Sequence, residues 1–168
     1  MMWCVNMFKK YGLAGILLII FVEINFFFDI EPFANLSFPL VWLGYILTID
    51  ALIYKLKGNS LISNRFYQFL GMTLLSVIFW WIFEFINISL QNWSYTGLER
   101  LGVWKDFVVS ISYSTVLPAL FETVELIESI NLFDRVRLHK KYKLTTDFLN
   151  FMMWVGTILI RLNIRLKI

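Results

Sequence analysis

FYQFLGMTLLSVIFWWIFEFINISL, residues 66–90, runs for 25 residues with one charged side chain, Glu84. As a helix rising 1.5 Å per residue it reaches roughly 37 Å, more than the roughly 30 Å of a bilayer's hydrocarbon core. Lipid offers no partner to an open backbone N–H or C=O, so a segment this apolar must close its own hydrogen bonds as a helix. A barrel strand would alternate apolar and polar residues over about ten positions, and this run is continuous.

Three more stretches have the same character: Tyr11–Phe28, Leu36–Tyr54 and Asp106–Ile127. Hydrophobic residues make up 59% of the 168 and charged residues 16%, too apolar a balance for a water-soluble domain of this size. The expected fold is an all-α, polytopic transmembrane helix bundle. Residues 1–143 form the bundle, with spans at about 11–28, 36–54, 66–90 and 106–127. Lys9 and Lys10 before the first span give it the look of a signal sequence, but no small-x-small cleavage site follows, so an uncleaved helix is expected.

Basic residues set the expected orientation. Lys9, Lys10, Lys55, Lys57, Arg65 and the run from Arg135 to Lys143 fall on the side of the N-terminus, whereas Arg100 and Lys105 fall opposite. That asymmetry predicts a cytoplasmic N-terminus in an inner or plasma membrane. Residues 144–168 form either an amphipathic interfacial helix or a short fifth span. The apolar part, Phe148–Ile160, is short, and Lys143, Asp147, Asn150, Thr157, Arg161 and Arg165 line one helical face, which favours a helix lying on the surface. The chain ends abruptly after this segment, as a piece of a longer protein would.

Several function classes drop out by count. The net charge of +3 is spread between apolar runs, not gathered into a basic stripe, so nucleic acid is not an expected partner. With one Cys (Cys4) and one His (His139), no disulfide framework, bis-histidine haem or multi-histidine metal site can be built, and neither a metal nor a cofactor is expected. Membrane lipid is the expected partner.

Ionisable groups inside spans cost roughly 2.5–3.5 kcal/mol at the helix centre, so each is a candidate for function. Glu23, Asp50, Glu84, Glu122 and Glu125 qualify. On the third span Thr73, Ser76, Trp80, Glu84, Asn87 and Gln91 recur at spacings of three and four; on the fourth, Ser110, Ser114, Pro118, Glu122, Glu125 and Ser129 do the same. Two such stripes are expected to pack together, away from lipid. The candidate functional polar residues are Glu84, Asn87, Asn92, Trp93, Tyr95, Ser114, Glu122 and Glu125. Each can equally serve as interhelical hydrogen-bond glue, and Trp93 and Tyr95 suit an aromatic interface belt. Asp50 is expected near the inner interface with Lys55 as partner. Counted along antiparallel helices, Glu84 and Glu122 fall roughly 20 Å apart, too far to share a substrate atom.

The order Glu84-x-x-Asn87, then Asn92-Trp93-Ser94-Tyr95, then Leu117-Pro118-Ala119-Leu120-Phe121-Glu122 resembles the lycopene-cyclase-type membrane domain over about residues 84–128. That family sets a polar, aromatic helix end before a Pro-x-Glu-Glu motif and cyclises isoprenoid chains by proton-initiated carbocation chemistry. Here the adjacent Glu pair is absent, and Phe121-Glu122 with Glu125 stands in its place. The resemblance implies Glu122 as proton donor and the aromatics as cation stabilisers. The chain as a whole is also similar to many small polytopic membrane families without an assigned activity.

Three readings follow. Acid-lined helix faces bind or conduct a proton or small cation, which for four helices implies a homo-oligomer or a subunit of a membrane complex. Alternatively, an isoprenoid- or lipid-modifying enzyme uses an intramembrane Glu as general acid. The third is a structural membrane subunit without a site.

Overall fold

The computed structural model describes residues 7–132 and 145–166, without the side chains of 159, 160 and 162–166. Cys4, His139 and the basic run from Arg135 to Lys143 lie outside the described residues. Every element among those described is helical: α1 (Lys10–Phe27), α2 (Ser37–Lys57), the single turn α3 (Leu61–Asn64), α4 (Phe66–Leu90), α5 (Lys105–Ser129) and α6 (Thr146–Leu166). A 3-10 turn, Leu98–Trp104, leads into α5.

Four helices are long and apolar enough to cross a membrane: α1, α2, α4, and α5 with its preceding turn. The chain is an integral membrane protein of the multi-pass helical class. Its large apolar side chains point outward along these helices, with Leu17 66%, Phe85 75% and Ile88 73% exposed. A soluble protein turns such residues inward; here lipid is the solvent that receives them.

The long helices begin and end within a few residues of the apolar runs in the sequence. α2 runs three residues past Tyr54 and stops where Gly58 takes the left-handed conformation, donating its N–H to the Tyr54 carbonyl. α5 begins at Lys105, so this lysine is helical instead of lying in the loop. α4 ends at Leu90, and the left-handed backbone of the next residue, Gln91 (φ 50°), turns the chain away from the helix axis.

The helices pack in the order α1–α2–α5–α4, with α2 and α5 central. Small residues make the α1–α2 crossing close. A Cβ on Gly15 would stand 2.6 Å from the Gly44 carbonyl oxygen, and one on Gly44 would stand 2.8 Å from that of Gly15. Without side chains at these points the two backbones touch, gaining the packing that drives association where no hydrophobic effect operates between helices. Thr48 adds a hydrogen bond to the Gly44 carbonyl at 2.7 Å and a longer one to Gly12 at 3.5 Å. Lys9 closes the end of the pair, with its ammonium 3.9 Å from the centre of the Tyr54 ring.

α4 meets α5 at a proline. Ser76 Oγ donates to the Tyr113 carbonyl at 2.5 Å and accepts from the Leu117 N–H at 3.1 Å. These are the two groups that would close one turn of α5 just before Pro118, where the helical ladder is already interrupted. A hydroxyl from the neighbouring helix thus satisfies the disturbed backbone and fixes the register of the pair.

α6 spans 21 residues and carries exposed Phe148, Phe151, Met152 and Trp154 among polar Asp147, Asn150 and Thr157. It touches α4.

Candidate functional site

The two polar stripes do not form one seam. Ser110, Ser114, Pro118 and Glu122 follow each other at four residues, and each such step turns about 40° further round the helix, roughly 120° in all. Ser110 therefore meets α4, accepting from Trp81 Nε1 at 3.1 Å, while Glu122 faces α2. Ser114 returns its hydroxyl to its own helix at Ile111, 2.6 Å away, and joins neither group. The acids gather instead at the two ends of the bundle.

At the end opposite the N-terminus, one oxygen of Glu84 collects three donors. Tyr95 OH lies at 2.6 Å, Tyr113 OH at 2.8 Å and Trp93 Nε1 at 3.0 Å from Glu84 Oε1. The two phenol oxygens are 3.1 Å apart. Burial pushes the Tyr95 hydroxyl up from its ordinary range, and the Glu84 acceptor adds to that shift, so the phenol stays a donor. Asn87 holds the loop that brings Trp93 and Tyr95 back. Its Oδ1 accepts from the N–H groups of Asn92 (2.9 Å) and Trp93 (3.3 Å), and its Nδ2 donates to the Trp93 carbonyl (2.9 Å). Of the candidates at this end, Glu84, Trp93 and Tyr95 converge, Asn87 positions the loop, and Asn92 contributes its backbone, its side chain being exposed.

Beside this network lies a cavity of about 600 Å³. Trp80, Val108, Val109 and Val116 supply apolar wall, and Phe26, Phe38 and Leu98 close its sides. Trp80 stacks on Tyr113 at 5.7 Å between ring centres and 22° between planes. A second hollow of about 380 Å³ borders Glu84, Lys105 and Asp106. Tyr95, Leu98, Val109 and Tyr113 line both hollows, so the Glu84-bound tyrosines form the partition between them.

At the other end, beside the α2–α4 connection, Asp50 is fully buried and has no contact with Lys55. Lys55 is five residues on, about 140° round the helix, and cannot reach it. Asp50 instead accepts from Tyr11 OH, from Ser60 Oγ at 2.8 Å and from the Ile62 N–H at 2.7 Å. It thereby caps α3 and ties α1, α2 and the connection together. Tyr11 turns to Asp50 and to Ser63 (2.8 Å), and Glu23, about three turns further along α1, is exposed. Glu125 is held by Arg65 through both oxygens, at 2.6 and 2.7 Å, and by Lys57 at 2.6 Å. Between these lies Glu122. It is 0% exposed, and neither carboxyl oxygen has a hydrogen-bond partner among the described residues.

The candidate residues left out Tyr113, Tyr11, Ser60 and Arg65, and also Trp80, although it lies on the polar stripe of the third span. Tyr113 was the most findable, because it lies three residues after Ser110, on the flank that faces α4. The groups that the cyclase resemblance would join, Glu122 and the aromatics at the far end of α4, fall in the separate clusters just described. Comparison with protein-family models, with curated proteins and with solved structures gives no match for this chain.

Proposed function

We propose that this membrane protein binds a chain-like apolar ligand with a polar end, drawn from the bilayer, in the cavity beside Glu84. The observation that carries the reading is the cavity's make-up: about 600 Å³ of mostly apolar and aromatic wall with two phenols at one edge, both tethered to a single carboxylate oxygen. Small-molecule sites are of this size, roughly 300–1,000 Å³, and combine apolar walls with a few fixed polar groups. Tyr95 and Tyr113 spend their protons on Glu84, so their oxygens face a ligand as acceptors and suit a hydroxyl or amide head. The charge asymmetry of the sequence supports a cytoplasmic N-terminus, and with that orientation the cavity lies in the outer half of the bilayer. α6, with its mixed face, lies along the cytoplasmic surface.

The isoprenoid-modifying enzyme reading draws support from the aromatic wall, which would stabilise a developing cation. It draws none from Glu84 as general acid, since that carboxylate is an acceptor three times over. The reading in which a carboxyl binds a proton or small cation is favoured by a different observation, the unpartnered Glu122 at the opposite end. Oligomerisation is consistent with all of these, because among the described residues α1 packs chiefly on α2, and α4 chiefly on α5, of the other spans.

The test is mass spectrometry of lipid carried through purification in mild detergent, comparing wild type with Val109→Trp, which fills the cavity from α5. A species enriched over bulk lipid in wild type and lost from an equally helical variant is the expected result. Equal lipid profiles in the two proteins would remove the cavity from the function.

A further inference from the structure

The buried acids beside the α2–α4 connection carry an inference independent of the cavity. Three carboxyl groups, Asp50, Glu122 and Glu125, meet two cations, Lys57 and Arg65. Both cations are spent on Glu125, with Nζ and Nη2 each 2.6 Å from its Oε1. No cation among the described residues pairs with Asp50, but it receives three hydrogen bonds, from Tyr11, Ser60 and the Ile62 N–H. Glu122 faces Asp50 from across the α2–α5 seam, and no donor among the described residues reaches either of its oxygens. Two carboxylates side by side, with no donor between them and no exposure, repel each other in a low dielectric, and a single shared proton removes the repulsion. It also supplies the missing hydrogen bond, since a protonated Glu122 donates to Asp50, the acceptor that its other donors already orient.

We propose that Asp50 and Glu122 bind one exchangeable proton between them, making this seam a proton-binding site that opens toward Lys57 and Arg65. With that proton the cluster is neutral: two carboxylates against two cations, and one acid shared. The groups facing it from each packed element are Tyr11 on α1, Lys57 on α2, Arg65 at the start of α4 and Glu125 on α5. Glu125 lies one turn after Glu122 and is 16% exposed, so it stands between the pair and the surface as the way in. The same geometry disfavours a metal ion. No group of three acidic, His or Cys side chains among the described residues is arranged to hold one, and Arg65 and Lys57 repel a cation at the entrance. Release of the proton has a mechanical consequence. Asp50 is the anchor of the 58–65 connection, so a second negative charge beside it pushes on the contact that holds that connection down.

Infrared spectroscopy of the purified full chain in lipid nanodiscs tests this directly. A protonated-carboxyl carbonyl band that shifts in deuterium oxide is expected at neutral pH, lost in Glu122→Gln and retained in Glu84→Gln. The Gln amide donates to Asp50 in place of the proton, so this variant keeps the fold. Melting supplies the second measurement: the wild-type melting temperature falls as alkali removes the proton, and that of Glu122→Gln stays level over the same interval. Absence of the acid band in wild type, or its survival in Glu122→Gln, overturns the proposal. So does a wild-type melting temperature that climbs with sodium or calcium at fixed ionic strength, which would mean a metal cation occupies the pair. None of these readouts depends on the cavity holding a ligand.

Discussion

Gly15→Ala adds one methyl group at the α1–α2 crossing, and its cost can be worked from the geometry. The new Cβ would lie 2.6 Å from the Gly44 carbonyl oxygen, 2.7 Å from Thr48 Oγ1 and 3.0 Å from Leu47 Cβ, against an ordinary contact beginning at 3.4 Å. The carbonyl belongs to the backbone and cannot swing away, so the helices must part by roughly 0.8 Å, and overpacking of this kind costs about 1–3 kcal/mol. A radial gap of that size also forfeits a quarter to a half of each dispersion contact along the crossing. Replacing Gly by Ala in a helix gains up to about 1 kcal/mol of propensity, which partly masks the loss. Gly71 on α4 separates the two effects, because a Cβ there meets nothing within 4 Å. Unfolding followed by circular dichroism as SDS is titrated into mild detergent should therefore show Gly71→Ala at or above wild type. Gly15→Ala should fall about 1–3 kcal/mol below Gly71→Ala. Equal stabilities for the two variants would refute the close crossing and, with it, the helix order built on it.

Ser76→Ala leaves the Tyr113 carbonyl and the Leu117 N–H without their shared partner; a loss of about 1 kcal/mol in the same titration is expected, in keeping with interhelical hydrogen bonds in membranes. Asn87→Ala removes all three bonds that hold residues 92 and 93, so amide hydrogen exchange should quicken several-fold in that loop and stay unchanged in α1; unaltered exchange would show that the loop is held by other contacts. Tyr95 predicts a pH effect with a definite sign. Its hydroxyl is pushed up, so its bond to Glu84 is at full strength below the ordinary phenol value of about 10 and is lost as the pH rises through the higher folded value. Ultraviolet titration should accordingly show Tyr95→Phe missing one late-ionising tyrosine, and loss of an early one instead would contradict the Glu84 network.

The spans were legible because their signal is local: twenty apolar residues in a row need no knowledge of neighbours. The Glu84 end was half legible for the same reason, since Glu84, Asn87, Trp93 and Tyr95 lie within a dozen residues of one another. Tyr113 completes that network from 29 residues away, and Tyr11 reaches Asp50 across 39. Such pairings depend on which helix lies beside which, and the order α1–α2–α5–α4 leaves no trace in hydrophobic periodicity. The two misreadings share one geometric cause. Lys55 was too far round α2 to serve Asp50, and four-residue steps carried Glu122 off the face of Ser110; both errors come from treating nearness in sequence as a shared helical face.

The separation of the two acid clusters bears on what kind of function suits the chain. Conduction across the bilayer would need exchangeable groups linking Glu122 to Glu84. Between them lie Ser76 on the α4–α5 seam, whose hydroxyl is committed to both Tyr113 and Leu117, and Thr115 on the Glu122 side of α5, which bonds back to Ser112 at 2.7 Å. A proton passing this way would have to break the contacts that set the helix register. Binding at either end requires no such disruption. The polar groups of this bundle thus suit the two proposed local sites, one for an amphiphile and one for a proton, better than a path between them.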